Sequence, residues 1–138
     1  MNTIISQHTG GTGFSTQLDG HLINIDTSHV NGGSDHGPRP KALMLVSLAG
    51  CTGIDVVDIL NKMRVTFSNL TIKVAGELTS TIPQTYHTVT VTYTLKVKTE
   101  DQESVEKAIA LSQDKYCGVS TMFRAFAKIN VEVVFQKL

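Results

Sequence analysis

The chain has no tryptophan, only three prolines and only two cysteines in 138 residues. It also lacks net charge, with twelve Lys and Arg against twelve Asp and Glu. Without a basic cluster, the composition has no electrostatic footprint for nucleic acid or for anionic membranes. Two cysteines are too few for the disulfide framework of a small secreted domain. The N-terminus, Met1-Asn-Thr-Ile-Ile-Ser-Gln-His8, has no basic start leading into an apolar core. No secretory signal is read there, and a cytoplasmic location is expected. The longest apolar stretch, around residues 42 to 60, is interrupted by Ser47, Asp55 and Asp58 and reads as too short to cross a bilayer. Internal repeats, low-complexity tracts and a domain linker are likewise absent.

What is present describes a folded chain. Apolar residues make up 41% and charged residues 17%, the balance of a protein with a core. The length suits one domain, 1–138, in which 1–36 carry N-terminal strands and a glycine-rich loop and 37–138 the core with both cysteines. Residues 2–7, 13–18 and 21–26 read as short strands, separated by Gly10-Gly11 and Asp19-Gly20 turns that supply positive φ. Pro40 is placed to begin a helix that runs to about Arg64. Its first half is apolar on all faces, which predicts burial on all faces and points to a dimer. In its second half Ile54, Val57 and Leu60 read as the inward side, with Asp55, Asp58, Asn61 and Lys62 opposite. Strands are expected at 70–78 and 87–98, the latter with strict alternation of Val89, Val91, Tyr93, Leu95 and Val97 against threonines. Thr99 and Gln102 have capping-box spacing before a helix carrying Val105, Ala108 and Ile109. A second helix opens at Cys117, and a strand closes the chain at 129–136. Three strands, a long helix, two strands, two helices and a strand make an α+β fold.

Cys51 lies in the apolar half of the long helix, and Cys117 stands where free N–H groups of a helix start favour an anion. Such a pair suits redox chemistry if the fold brings the thiols together; otherwise both are small buried side chains. The thiolate is the reactive form, so Cys51 needs a cation, and Arg39, Lys41, Arg64 and Arg124 are the candidates. The five histidines form no metal-ligand spacing with each other or with the cysteines, so no metal is expected. The glycines match neither a phosphate loop nor a dinucleotide fingerprint, and no cofactor is read. Ser47 and Ser120 lack a nucleophile-elbow setting.

Pro40, then Ala49-Gly50-Cys51, then the run Ile54-Asp-Val-Val-Asp-Ile-Leu-Asn-Lys-Met63 resembles the central-helix motif of the OsmC/Ohr family, the osmotically inducible and organic hydroperoxide resistance proteins. Lys115-Tyr-Cys-Gly-Val119 is similar to that family's second cysteine motif, and Ile82-Pro83 before the long strand also fits. The resemblance covers roughly residues 37–136, and the Asp55–Met63 stretch looks most like the OsmC-like subgroup. It implies antiparallel sheets wrapped around a long buried central helix in an intertwined homodimer, with sites at the subunit interface. It further implies a thiol peroxidase acting on organic hydroperoxides in oxidative-stress defence: Cys51 attacks the peroxide, Cys117 resolves the sulfenic acid as a disulfide, and a dithiol such as a lipoyl group restores the pair. Two departures stand out. Lys41 occupies the place where well-studied members carry a glutamate, and no arginine precedes Arg39. Arg39 and Lys41 are therefore the candidate cations for the Cys51 thiolate. A different class of function remains open, a non-catalytic OsmC-like protein holding a small apolar ligand at the dimer interface. A third, a thiol-dependent hydrolase or transferase, rests on the nucleophile alone.

Overall fold

A computed structural model describes all residues, 1–138. The chain folds as two compact units, Met1–Met44 and Leu45–Leu138.

The first unit is a meander of three antiparallel strands, β1 (Ser6–Gly10), β2 (Gly13–Leu18) and β3 (His21–Ile25). Asp19 and Gly20, with φ of 50° and 81°, make the tight β2–β3 turn, as their sequence suggests. β1 sits further along than the 2–7 expected, because the turn at Gly11–Thr12 fixes which residues face β2. Ser6 pairs with Thr16 and Gly10 with Gly13. Behind β3, buried Asp26 organises the glycine-rich loop. It accepts bonds from the Thr12 hydroxyl (2.6 Å) and from the backbone N–H groups of Thr27, Ser34 and His36. Led by the Thr12 bond and opposed by burial, these donors hold its carboxyl down at about 2.

The long helix α1 spans Pro40–Lys62 and carries the chain into the second unit. There a three-stranded sheet has the order β4 (Phe67–Leu78), β5 (Tyr86–Val97), β6 (Lys128–Lys137). β4 begins three residues earlier than expected. Asn69, at φ 52°, sits in a register shift between Ser68 and Thr71 that reads in the sequence as a strand end. β5 behaves as its alternation predicts: Val89, Val91, Tyr93, Leu95 and Val97 are all 0–2% exposed. Being central, β5 pairs with antiparallel β4 and with parallel β6, so this sheet is mixed. The parallel pairing follows from the crossover between them through α2 (Gln102–Leu111) and α3 (Gly118–Arg124). The expected capping box is not formed. A 3-10 turn at Thr99–Asp101 precedes α2, and Asp101 caps it without a side-chain bond. Acidic Glu100, Asp101 and Glu103 still suit that helix start.

α1 buries Leu48, Thr52, Val56 and Leu60, one residue every turn, in the core formed by the inner face of the β4–β5–β6 sheet. This corrects part of the stripe expected from periodicity: Leu60 is buried as expected, but Ile54 is 74% and Val57 36% exposed. Apolar residues lie on both sides, so helical spacing alone does not choose between them; the sheet does. Gly53 lets the helix come close, because a Cβ there would stand 2.9 Å from Ile72 Cδ1. Val46, Gly50, Ile54 and Val57 consequently lie on the outer side of the helix in the single chain. By length and composition alone α1 is also long and apolar enough to cross a membrane, a property that a core helix shares. Interruptions by two aspartates do not remove that property.

Candidate functional site

α1 supplies Cys51, half-buried, and one turn later Asp55. Spacing of four residues puts both side chains on one side of the helix. Cys117 arrives from the crossover. After α2 the chain widens into a π-turn, Ser112–Tyr116, and the Cys117 N–H closes it by donating to the Ser112 carbonyl at 2.7 Å. Cys117 is then extended (φ −76°, ψ 99°) and caps α3 with its sulfur, which accepts from the Ser120 N–H at 3.3 Å. It is 1% exposed.

These turns converge on one point. Cys51 Sγ, Cys117 Sγ and a carboxylate oxygen of Asp55 lie within 4.8 Å of one another. The Cys51 thiol interacts with that of Cys117 and with the Val119 backbone. Burial pushes the Cys51 thiol up. The neighbouring Cys117 thiol and the Cys117 and Asp55 charges add to that, while the Val119 backbone opposes it. None of these groups is a cation.

Beneath the thiols runs a buried polar chain whose direction is fixed by its ends. Arg124 donates to the Gln113 carbonyl (2.6 Å) and to Gln113 Oε1 (3.3 Å), which aims the amide nitrogen at Tyr93 Oη, 2.7 Å away. Tyr93, buried and pushed above its ordinary pKa by that burial, keeps its proton and donates a hydrogen bond to Thr52 Oγ1 at 2.6 Å. Thr52 then donates to Ser112 Oγ at 2.8 Å, and Ser112 donates to Asp55 Oδ2 at 3.0 Å. Only this arrangement satisfies every member, because a guanidinium cannot accept and a carboxylate cannot donate. Asp55 is thus held beside the sulfurs by a relay that begins at a cation. Beyond it opens a cavity of about 580 Å³ lined by Asp55, Asp58, Ile59, Leu111 and Tyr116 among others.

The folded chain therefore unites Cys51 and Cys117. Arg39 lies in the first unit, where its guanidinium bonds Asp35 and the Gly37 carbonyl. Lys41 is exposed in the first turn of α1. Arg124 is engaged by Gln113 and lies 3.9 Å from Asp114. Sequence reasoning placed Asp55 on the solvated side with Asp58 and Lys62 and missed it as a neighbour of the thiols. Its spacing of four residues from Cys51 was the available signal. Thr52, Tyr93, Ser112 and Gln113 carried none, since their convergence is tertiary.

The profile of the family described as "OsmC-like protein" matches residues 32–132. The chain belongs to the OsmC-like family. "Protein YhfA" of Escherichia coli K12 is 28% identical over 121 residues, covering 88% of this chain and 87% of that protein. A hypothetical protein from Aquifex aeolicus VF5 superposes with a TM-score of 0.81 at 26% identity, covering 99% of this chain and 98% of the other. An organic hydroperoxide resistance protein OsmC from Legionella pneumophila has a TM-score of 0.67 at 17% identity, covering 97% and 98%. That last likeness shows the shared α+β fold.

Proposed function

We propose that this chain reduces organic hydroperoxides with its cysteine pair, Cys51 attacking and Cys117 resolving. The observation that carries the reading is that two thiols delivered by separate elements, α1 and the start of α3, lie within 4.8 Å of each other. The name of the Legionella relative, an organic hydroperoxide resistance protein, supports the substrate class. In the first step Cys51 thiolate attacks the terminal peroxide oxygen. The O–O bond breaks, the alkoxide takes up a proton and leaves as alcohol, and Cys51 becomes a sulfenic acid. Cys117 then attacks that sulfur and gives up its proton. Hydroxide leaves as water and a disulfide remains, so the sulfurs close to about 2.05 Å. A dithiol reductant, lipoyl in kind, returns both thiols by exchange.

Cys51 starts this cycle protonated, because burial and Asp55 disfavour the thiolate. Arg39 or Lys41, from either subunit, is the cation assigned to offset that. A homodimer is part of the proposal, supported by the outer stripe of α1, where Val46 is 64% and Ile54 74% exposed around Gly50. The two compact units are taken as one functional domain, since the family match crosses their boundary. A cytoplasmic setting, which keeps thiols reduced, suits this chemistry.

The test adds one equivalent of an organic hydroperoxide to reduced protein and follows free thiols and intact mass. Rapid loss of two thiols into a Cys51–Cys117 bridge is expected, with Cys117→Ser trapping oxidised Cys51. Arg39→Ala and Lys41→Ala should raise the pH at which Cys51 is alkylated; no shift in either removes both as its support. The raised Cys51 thiol and the missing neighbouring cation favour a second reading, non-catalytic binding of a small apolar ligand at the dimer interface. Thiols left untouched by hydroperoxide select it.

A further inference from the structure

The carboxylate beside the thiols is a handicap for a peroxidatic cysteine, since it opposes the thiolate. The same arrangement is what a cation selects. Three donors converge from residues 51, 55 and 117, all within 4.8 Å of one another. A tetrahedral zinc centre has metal–sulfur bonds of about 2.3 Å and metal–carboxylate bonds of about 2.0–2.2 Å, so its ligand atoms stand roughly 3.5–3.8 Å apart. Closing this cluster by at most about 1.3 Å reaches that geometry.

Two further features fit. The Cys117 sulfur already accepts a backbone N–H, from Ser120 at 3.3 Å, and such bonds stabilise metal-bound thiolate charge. Asp55 is oriented from behind by the Ser112 hydroxyl, itself fixed by Thr52, the kind of outer support that ligating carboxylates have. Two sulfurs and one oxygen select soft divalent ions over magnesium or calcium. A cavity of about 580 Å³ reaches Asp55, the carboxylate member of the cluster.

We propose that the reduced Cys51–Asp55–Cys117 cluster binds one soft divalent cation of the zinc class, through two thiolates and a carboxylate. Binding forms two metal–sulfur bonds and one metal–oxygen bond and releases the two thiol protons to solvent, with no change of oxidation state. Metal and disulfide are mutually exclusive on this pair, so the cation would guard the reduced thiols.

The reduced full-length protein is titrated with Cd²⁺ alone, following thiolate-to-metal charge-transfer absorption, and Zn²⁺ is then added in competition. Expected are one equivalent bound, displacement by Zn²⁺, and no binding after the disulfide is formed. Asp55→Asn, which keeps an acceptor for Ser112, should weaken binding at least about tenfold. Cys51→Ser should abolish the two-thiolate absorption, while Asp58→Asn, one turn further along α1, should leave affinity within about twofold. Far-UV circular dichroism establishes that each variant is folded, and Cys51→Ala replaces any that is not. Absence of a one-equivalent complex, or unchanged affinity in Asp55→Asn, overturns the proposal. Because no peroxide is involved, either outcome is independent of the peroxidase reading.

Discussion

Replacing Thr52 with valine removes one hydroxyl and nearly nothing else, from a side chain with no exposed surface. That oxygen accepts from Tyr93 and donates to Ser112, and Gln113 Nε2 lies 3.4 Å away. After the change the Tyr93 O–H has no acceptor. Gln113 cannot rotate to offer its carbonyl oxygen without turning its NH₂ toward the Arg124 guanidinium. Ser112 loses its donor but keeps Asp55. One buried donor and one buried acceptor are thus orphaned, at about 1–3 kcal/mol each, less a small gain from burying a methyl. A net loss of about 2–4 kcal/mol is expected. Unfolding entropy of about 2.1 cal/mol/K per residue makes each kcal/mol equal to roughly 3.5 °C for a chain of this length. Thermal unfolding by circular dichroism, at matched protein concentration, should therefore show a fall of about 7–14 °C. The contrast is Ser120, also fully buried, whose Oγ has no partner at all. Ser120→Ala should leave stability unchanged or raise it by up to about 1 kcal/mol. If both variants lose the same amount, or Thr52→Val loses under about 2 °C, the directional network is not what holds this core.

Other expectations follow from single residues. In Asp55→Asn the charge that opposes the Cys51 thiolate is gone, so the pKa falls and the alkylation rate profile moves to lower pH; an unmoved profile refutes the assigned cause. Asp26 is held at about 2, below the ordinary 3.8, so its contribution is complete above about pH 4 and drains away as pH falls toward 2. Asp26→Asn should destabilise at pH 7 and flatten urea stability between pH 4 and 2, whereas an equally steep acid loss would point to other groups. In the proposed homodimer, Ile54→Glu places a charge in the exposed apolar stripe of α1 and should shift the protein to monomer by light scattering; an intact dimer would put the interface elsewhere.

Much of the frame was legible in the chain. Alternation along β5 specified which residues face the core, because a strand's period of two admits one solution once one side is all apolar. The Asp19-Gly20 turn and Pro40 marked boundaries through backbone constraints that need no tertiary partner. Periodicity failed in part on α1 for the opposite reason: with apolar residues on both sides, helical spacing alone does not choose between them. The β4 bulge at Asn69 and the 3-10 turn before α2 escaped because polar residues there mimic strand ends and caps.

Chemistry divided in the same way. Local sequence determined that Cys51 is helical and that Cys117 opens a helix, since those settings depend on neighbours a few residues away. Only the folded chain decided that the two sulfurs meet, that Asp55 joins them, and that Tyr93, Thr52, Ser112 and Gln113 link Asp55 to Arg124. Contacts spanning 20 to 61 residues arise from how helix, sheet and crossover pack, and no short-range pattern in the sequence records that packing.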